Sequence, residues 1–194
     1  YLQNVSHPHL GWDLLGLSYS LHTQGQLEEA SQTARRALMI HEAAVGKKHG
    51  NWTASQAHLI NVLKDLIKLS ESRNDSSAAR KQQLEVASLQ LELADVHESL
   101  NELNRGEPYL NEAVQTLGRL LGDRNDKTLE TLQRLVRWHL NSGELAKAEG
   151  RSNDLVKLRG AVPGPGNSLQ TGALLLAAEV QDKILSQLTL NVEE

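Results

Sequence analysis

Eight histidines in a chain of 194 residues without a cysteine are the first groups to test for chemistry. Imidazoles at ligand spacing hold metals, and an imidazole beside a carboxylate moves protons. Neither arrangement is present. His7 and His9 sit two apart around Pro8 and form no ligand-spaced set. There is no H-E-x-x-H helix motif, no paired-cysteine motif, no phosphate-cradling glycine loop and no G-x-S-x-G elbow. Glu28-Glu29 and Glu193-Glu194 are carboxylate pairs, but adjacent residues on a helix diverge, so neither makes a shared-proton dyad. The reading is therefore non-enzymatic, with no catalytic residue, no metal and no cofactor.

The elements that carry these residues are helical hairpins. Gly25-Gln-Leu27-Glu-Glu-Ala30 and Ser142-Gly143-Glu-Leu145-Ala-Lys-Ala148 share a turn glycine, a Leu two residues on and an Ala five on. Gly takes the tight corner, and the small Ala lets two helix backbones approach. A worn third copy runs through Leu93-Ala94, His97, Asn101, Leu103, Gly106, Ala113-Val114 and Gly122. Gly46 follows Gly25, and Gly122 follows Asn101, by the same 21 residues, and Gly143 follows Asn101 by 42. A period of that size means stacked repeats, which usually make a binding surface and not a catalytic pocket. His97 and His139 each stand four residues before a turn, where they read as packed helix-pair residues.

Helices are expected from Pro8 to about His22, from Leu27 to Val45 with Gly46 as C-cap, and from about Thr53 to Ser70 with Thr53 or Asn51 as N-cap. The run from Ser77 to about Leu100 contains no Gly or Pro. From Gly25 to Asn101 is 76 residues, eight short of two 42-residue periods. The second repeat therefore has either a shortened second helix or one fused into a single long helix of about two dozen residues. Further helices follow at Glu107 to Leu121, Thr128 to Leu140 and Leu145 to Leu158. Residues 160–167, with two prolines and three glycines, form a linker. Beyond it an amphipathic helix from Leu169 to about Leu190 carries Leu174, Ala177, Ala178, Val180, Ile184, Leu185 and Leu188. It either caps the last repeat or serves as a dimerisation or partner helix. The domains are thus 1–159 for the repeats, 160–167 for the linker and 168–194 for the terminal helix.

The pattern resembles the tetratricopeptide repeat, in the 42-residue form of kinesin light chains. Arg36-Ala37-Leu38-Met39-Ile40-His41-Glu42 and Gly46-Lys-Lys-His49-Gly50 match that form, with Gly50 where the family has proline; Gly122-Asp-Arg-Asn-Asp126-Lys-Thr128 is a weaker echo. Trp12-x-x-Leu15-Gly16-x-x-Tyr19 matches the general W-x-x-L-G-x-x-Y signature, two residues out of register with Gly25. Either the first turn carries two extra residues or the match is accidental. The resemblance covers roughly residues 8 to 158. It implies an all-α, right-handed superhelix of stacked antiparallel helix hairpins with a C-terminal capping helix.

It also implies a function: a cytoplasmic protein–protein interaction scaffold or adaptor that binds a peptide or helix of a partner in its concave groove. The first helices line that groove. The family's groove offsets place there Trp12, Leu15, Tyr19, His22 and Thr23. With Ile67 taken as the second turn residue, Ala57, Asn61, Lys64 and Asp65 follow. Leu91, Asp95, Glu98 and Ser99 come from the third repeat, and Glu130, Gln133, Arg137, Leu140 and Asn141 from the fourth. The partner-binding candidates are Tyr19, His22, Asn61, Lys64, Asp95, Glu98, Gln133, Arg137 and Asn141. Co-chaperone relatives clamp a C-terminal carboxylate with Lys/Asn, Asn and Lys/Arg on successive first helices. Leu15/Tyr19 and Leu91/Asp95 occupy two of those places and only Asn61 fits, which argues against such a clamp.

Composition agrees. Aromatic residues make up 3%, with no Phe, and the formal charge is −4, which suits aliphatic helix packing and gives no basic face for nucleic acid. No apolar run approaches the ~20 residues of a membrane span. The absence of cysteine leans to a reducing compartment; Asn4-Val-Ser6, Asn51-Trp-Thr53 and Asn74-Asp-Ser76 are sequons of a kind that arises by chance. With Tyr1 first and no initiator Met, the sequence reads as part of a longer protein. A regulatory or docking domain of a larger enzyme is the alternative function, with a free-standing helical enzyme a distant third. Self-association through the terminal helix is open.

Overall fold

The computed structural model describes residues 8–160 and 168–190. Among them are eight α-helices and no strand: α1 (Pro8–Thr23), α2 (Leu27–Val45), α3 (Gly50–Ser72), α4 (Ser76–Ser99), α5 (Leu103–Leu121), α6 (Asp126–Asn141), α7 (Leu145–Gly160) and α8 (Ser168–Leu190). The protein is all-α and built from antiparallel hairpins. It divides into two compact units, the first ending at Tyr109 and the second beginning at Leu110, so that the boundary falls inside α5.

One corner chemistry closes four hairpins. Gly25, Asn74, Asn101 and Gly143 have φ of 75°, 57°, 58° and 77°, the left-handed conformation that Gly adopts freely and Asn tolerates. At each corner the next residue's N–H reaches back to a carbonyl five residues earlier: Gln26 to Leu21, Asp75 to Ser70, Glu102 to His97 and Glu144 to His139, at 2.8–2.9 Å. The corner residue's own N–H bonds three back, to His22, Glu71, Glu98 and Leu140. These paired bonds are a Schellman motif, which satisfies carbonyls that a helix end would otherwise leave bare.

Asn74 and Asn101 lie 27 residues apart with only α4 between them. That 24-residue helix is the second helix of one hairpin and the first of the next, which accounts for the eight residues missing from two full periods. The expected second corner at Ile67 is corrected to Asn74, seven residues on. Seven residues is about two helical turns, so Asn61 and Lys64 keep their intended face.

Two further corners repeat a different device. Gly46 and Gly122, with φ of 80° and 95°, end α2 and α5. Three residues later His49 and Asn125 cap α3 and α6, each side chain accepting the N–H two residues on. Asn51 and Thr53 are therefore not the cap of α3. α5 starts at Leu103 and not near Glu107, because the corner at Asn101 is complete by Glu102; Pro108 is inside the helix.

In the first unit α3 packs between α2 and α4. Its Trp52, Leu59, Ile60, Val62, Leu63 and Leu66 join Ala30 and Ala34 of α2 and Val86, Leu93 and Val96 of α4 in one core. Burial of each large side chain is worth about 1.5–3 kcal/mol. Leu14 and Leu15 pack on Ala37 and Ile40. In the second unit α8 docks on α7, placing Ala173, Leu176 and Val180 against Leu129, Leu132, Val136 and Leu140 of α6 and Ala148 and Leu155 of α7. α8 thus caps its unit through a face that only partly coincides with the expected stripe. Ile184 packs there, while Leu174, Leu185 and Leu188 are exposed. The linker that precedes α8 lies, from 161 to 167, outside the described residues.

Candidate protein-interaction face

The nine candidate residues fall in both units. Tyr19, His22, Asn61, Lys64, Asp95 and Glu98 belong to the first; Gln133, Arg137 and Asn141 belong to the second. In the first unit α1 and α3 meet, and five side chains make the junction. Ser18, wholly buried, donates its hydroxyl hydrogen to the carbonyl of Ala30 at 2.7 Å. That leaves its oxygen to accept from the Nε2–H of His58 at 2.9 Å, which fixes the tautomer. Tyr19 lies tilted over the same imidazole, ring centroids 3.7 Å apart. His22 meets His58 edge-on at 5.5 Å and bonds Asp65 at 2.9 Å through Nε2. The structure therefore brings Tyr19 and His22 onto α3, and Asn61, exposed, stands one turn from both His58 and Asp65.

The electrostatics follow from this packing. Desolvation, reinforced by the neighbouring His22 and opposed by a hydrogen bond with the Ser18 backbone, lowers the pKa of His58 to about 4, so the ring is neutral at pH 7. Asp65 is drawn below the usual carboxylate range by its bonds to Lys68 and then to His22. His58 is the residue that sequence reasoning missed. Nothing in its own neighbourhood marks it, because its role depends on which face of α1 it meets.

A second imidazole repeats the arrangement nearer the start of α1. His41 is buried, with Nδ1 2.8 Å from Ser55 Oγ, and Trp12 meets its ring edge-on at 5.6 Å. A Cβ at Gly11 would come within 2.4 Å of the His41 ring, so this close approach needs glycine. Trp12 and Tyr19 remain 47% and 49% exposed. Leu15 and Leu140, offered as groove residues, are corrected to core residues at 2% and 4% exposure. Both point inward between helices.

On α4, Asp95 and Glu98 are exposed and three residues apart, on one face. In the second unit Gln133, Arg137 and Asn141 recur every fourth residue along α6, the first half-buried and the others exposed. The turn histidines have carboxylate partners. His97 Nδ1 lies 2.9 Å from Glu102 and its ring stacks on Tyr109, while His139 Nδ1 lies 2.8 Å from Glu144. Both are buried packing residues.

A family model, the tetratricopeptide repeat, matches residues 14–51, from Leu14 of α1 through α2 to the start of α3. The hairpin of α1 and α2 is thus similar to a tetratricopeptide repeat. Its register is that of Gly25: Ser18, not Gly16, makes the close approach to Ala30, and the turn holds no extra residues, so the W-x-x-L-G-x-x-Y match is accidental. No curated protein matches the chain. Among solved structures, the chain is similar to nearly identical TPR-like repeats assigned to a kinesin light chain of Podosopora anserina. That match has 16% identity and a TM-score of 0.48, over 91% of this chain and 87% of that one. BtubC (BKLC) of P. vanneervenii is similar at 16% identity and a TM-score of 0.47, over 90% of this chain and 73% of that one. No helix among the described residues is long and apolar enough to cross a membrane.

Proposed function

We propose that the protein is a non-enzymatic interaction scaffold that acts in the cytoplasm and binds a peptide or helix of a partner protein on the exposed faces of its first helices. In the first unit that face is Tyr19, His22, Asn61 and Lys64, with Asp95 and Glu98 on α4; in the second it is Gln133, Arg137 and Asn141. The observation that carries the reading is the α1–α3 junction. Half-exposed aromatic and polar side chains there are held from beneath by a buried, hydrogen-bonded layer, and such pre-ordering lowers the entropic cost of binding. Amide and charged groups at the surface can hydrogen-bond an extended or helical ligand.

The test is capture of a partner from lysate on the full chain, followed by titration of the purified partner. Asn61→Ala/Lys64→Ala and Arg137→Ala/Asn141→Ala variants should keep the wild-type melting temperature. At least one should bind about tenfold more weakly, about 1.4 kcal/mol. Full retention of affinity by both well-folded variants would place the interface elsewhere. The leucines exposed on α8, Leu174, Leu175, Leu185 and Leu188, favour self-association as a second reading; sedimentation of the full chain showing only monomer at all concentrations would remove it.

A further inference from the structure

Gly16 stands in the middle of the exposed face of α1, and among the described residues nothing lies within 4 Å of the position a Cβ would take there. On a helix its surface neighbours are the residues three and four away on each side: Trp12, Asp13, Tyr19 and Ser20, all exposed. The result is a notch floored by backbone. Helix geometry puts Trp12 and Tyr19 on one side of it, seven residues or about 10.5 Å of backbone rise apart, and the carboxylate of Asp13 and the hydroxyl of Ser20 on the other. Asp13 is the one formal charge among the acidic and basic residues of α1, which contains no Lys or Arg. The Ser20 hydroxyl oxygen accepts from Gln24 at 3.1 Å, which orients it.

The walls are set before any ligand arrives. Trp12 rests against buried His41, which Ser55 holds, and Tyr19 rests against buried His58, which Ser18 holds. Two exposed rings with fixed backing, an uncovered glycine between them and a carboxylate beside it fit one kind of side chain. A planar guanidinium can stack on an aromatic face, pair with a carboxylate and bond a hydroxyl at once. An aliphatic side chain would leave Asp13 unused, and an acidic one would be repelled by it.

We propose that the Gly16 notch of α1 receives an arginine side chain of a partner protein segment. This deepens the interaction reading above and rests on it. The test uses the full chain and acetyl-Gly-Ser-Xaa-Ser-Gly-amide peptides with Xaa Arg, norleucine or Glu, followed through the indole N–H resonance of Trp12. Trp52 and Trp138 are buried and serve as internal references. The Arg peptide should give a saturable Trp12 shift with a Kd in the millimolar range; norleucine and Glu peptides should give none. Gly16→Leu fills open space and should fold, and Asp13→Asn changes an exposed residue. Each should weaken the Arg response about tenfold with the melting temperature kept. No saturable shift with Arg up to about 20 mM, an equal response from norleucine, or wild-type binding by both variants would overturn the proposal. Should it fail while the Asn61/Lys64 variant still loses its captured partner, the face stands and only the arginine assignment falls. Loss of that partner contact with the notch intact is equally legible, because these peptides do not depend on Asn61 or Lys64.

Discussion

His58 and His139 are equally buried, each 2% exposed, yet one faces the hydroxyl of Ser18 and the other the carboxylate of Glu144. The same contrast separates His41, held by Ser55, from His97, held by Glu102. A hydroxyl gives a positive imidazole little support, so burial wins and His58 stays neutral down to about pH 4. At the two corners the shift falls on the partner acid. Glu102 is lowered first by its bond from His97, and Glu144 by its bonds from Lys147 and then His139. The α1–α3 layer uses histidine as rigid neutral packing behind its surface rings; the corners at Asn101 and Gly143 use it to tie a helix end to the next turn.

The two designs lose stability in different pH windows. Unfolded, His58 binds a proton near the ordinary imidazole value of 6.5; folded, it does so near 4. Between those values the unfolded chain holds more protons, so stability falls as pH falls. From pH 7 to pH 5 the loss from His58 should be about 2 kcal/mol, measured by urea melts, and His58→Gln should flatten that slope. The lowered Glu102 and Glu144 act in the same direction, in a more acid window. Their contribution is full above the ordinary carboxyl value of 4.5 and disappears only as pH falls through their lower folded values. A wild-type profile that is level from pH 7 to 5 would erase the distinction.

Ser18→Ala should come next in size. It removes the acceptor of His58 and the hydroxyl donor to Ala30 in a dry site, and should cost between about 1 and 2 kcal/mol. It should also blue-shift no buried tryptophan, since Trp52 and Trp138 lie in other contacts. Glu144→Gln should cost least, under about 1 kcal/mol, because the amide oxygen still accepts from the His139 Nδ1–H. A larger loss from Glu144→Gln than from Ser18→Ala would invert the comparison.

How much of this was legible depends on whether the signal was local. The corners at Gly25 and Gly143 and the helix ends at Gly46 and Gly122 could be read directly, since a left-handed backbone calls for glycine. Asn74 could not, because Asn takes the same conformation inside a polar run, residues 70–77, that offers several turn formers. With that corner hidden, the sharing of α4 between two hairpins stayed an open alternative. α8 was legible as a helix, but its docking face follows Ala173, Leu176, Val180 and Ile184, whereas large leucines drew attention to the exposed side. Of the candidate face, Tyr19 and His22 pack against α3, a contact that the family offsets do not give. Leu15 and Leu140 do not line a surface, because family offsets say which side of a helix a residue occupies and not how deeply its neighbours cover it. His58, His41 and the opening at Gly16 depend on contacts between helices that no spacing along one helix reveals.

The central claim, that the α1–α3 face is where the protein meets its partner, is tested most directly by amide hydrogen exchange of the full chain with and without the purified captured partner. Protection on binding should concentrate in residues 12–23 and 58–65, with α2 and α8 unchanged. Protection confined to α2 or α8, with those two segments exchanging as in the free protein, would contradict it.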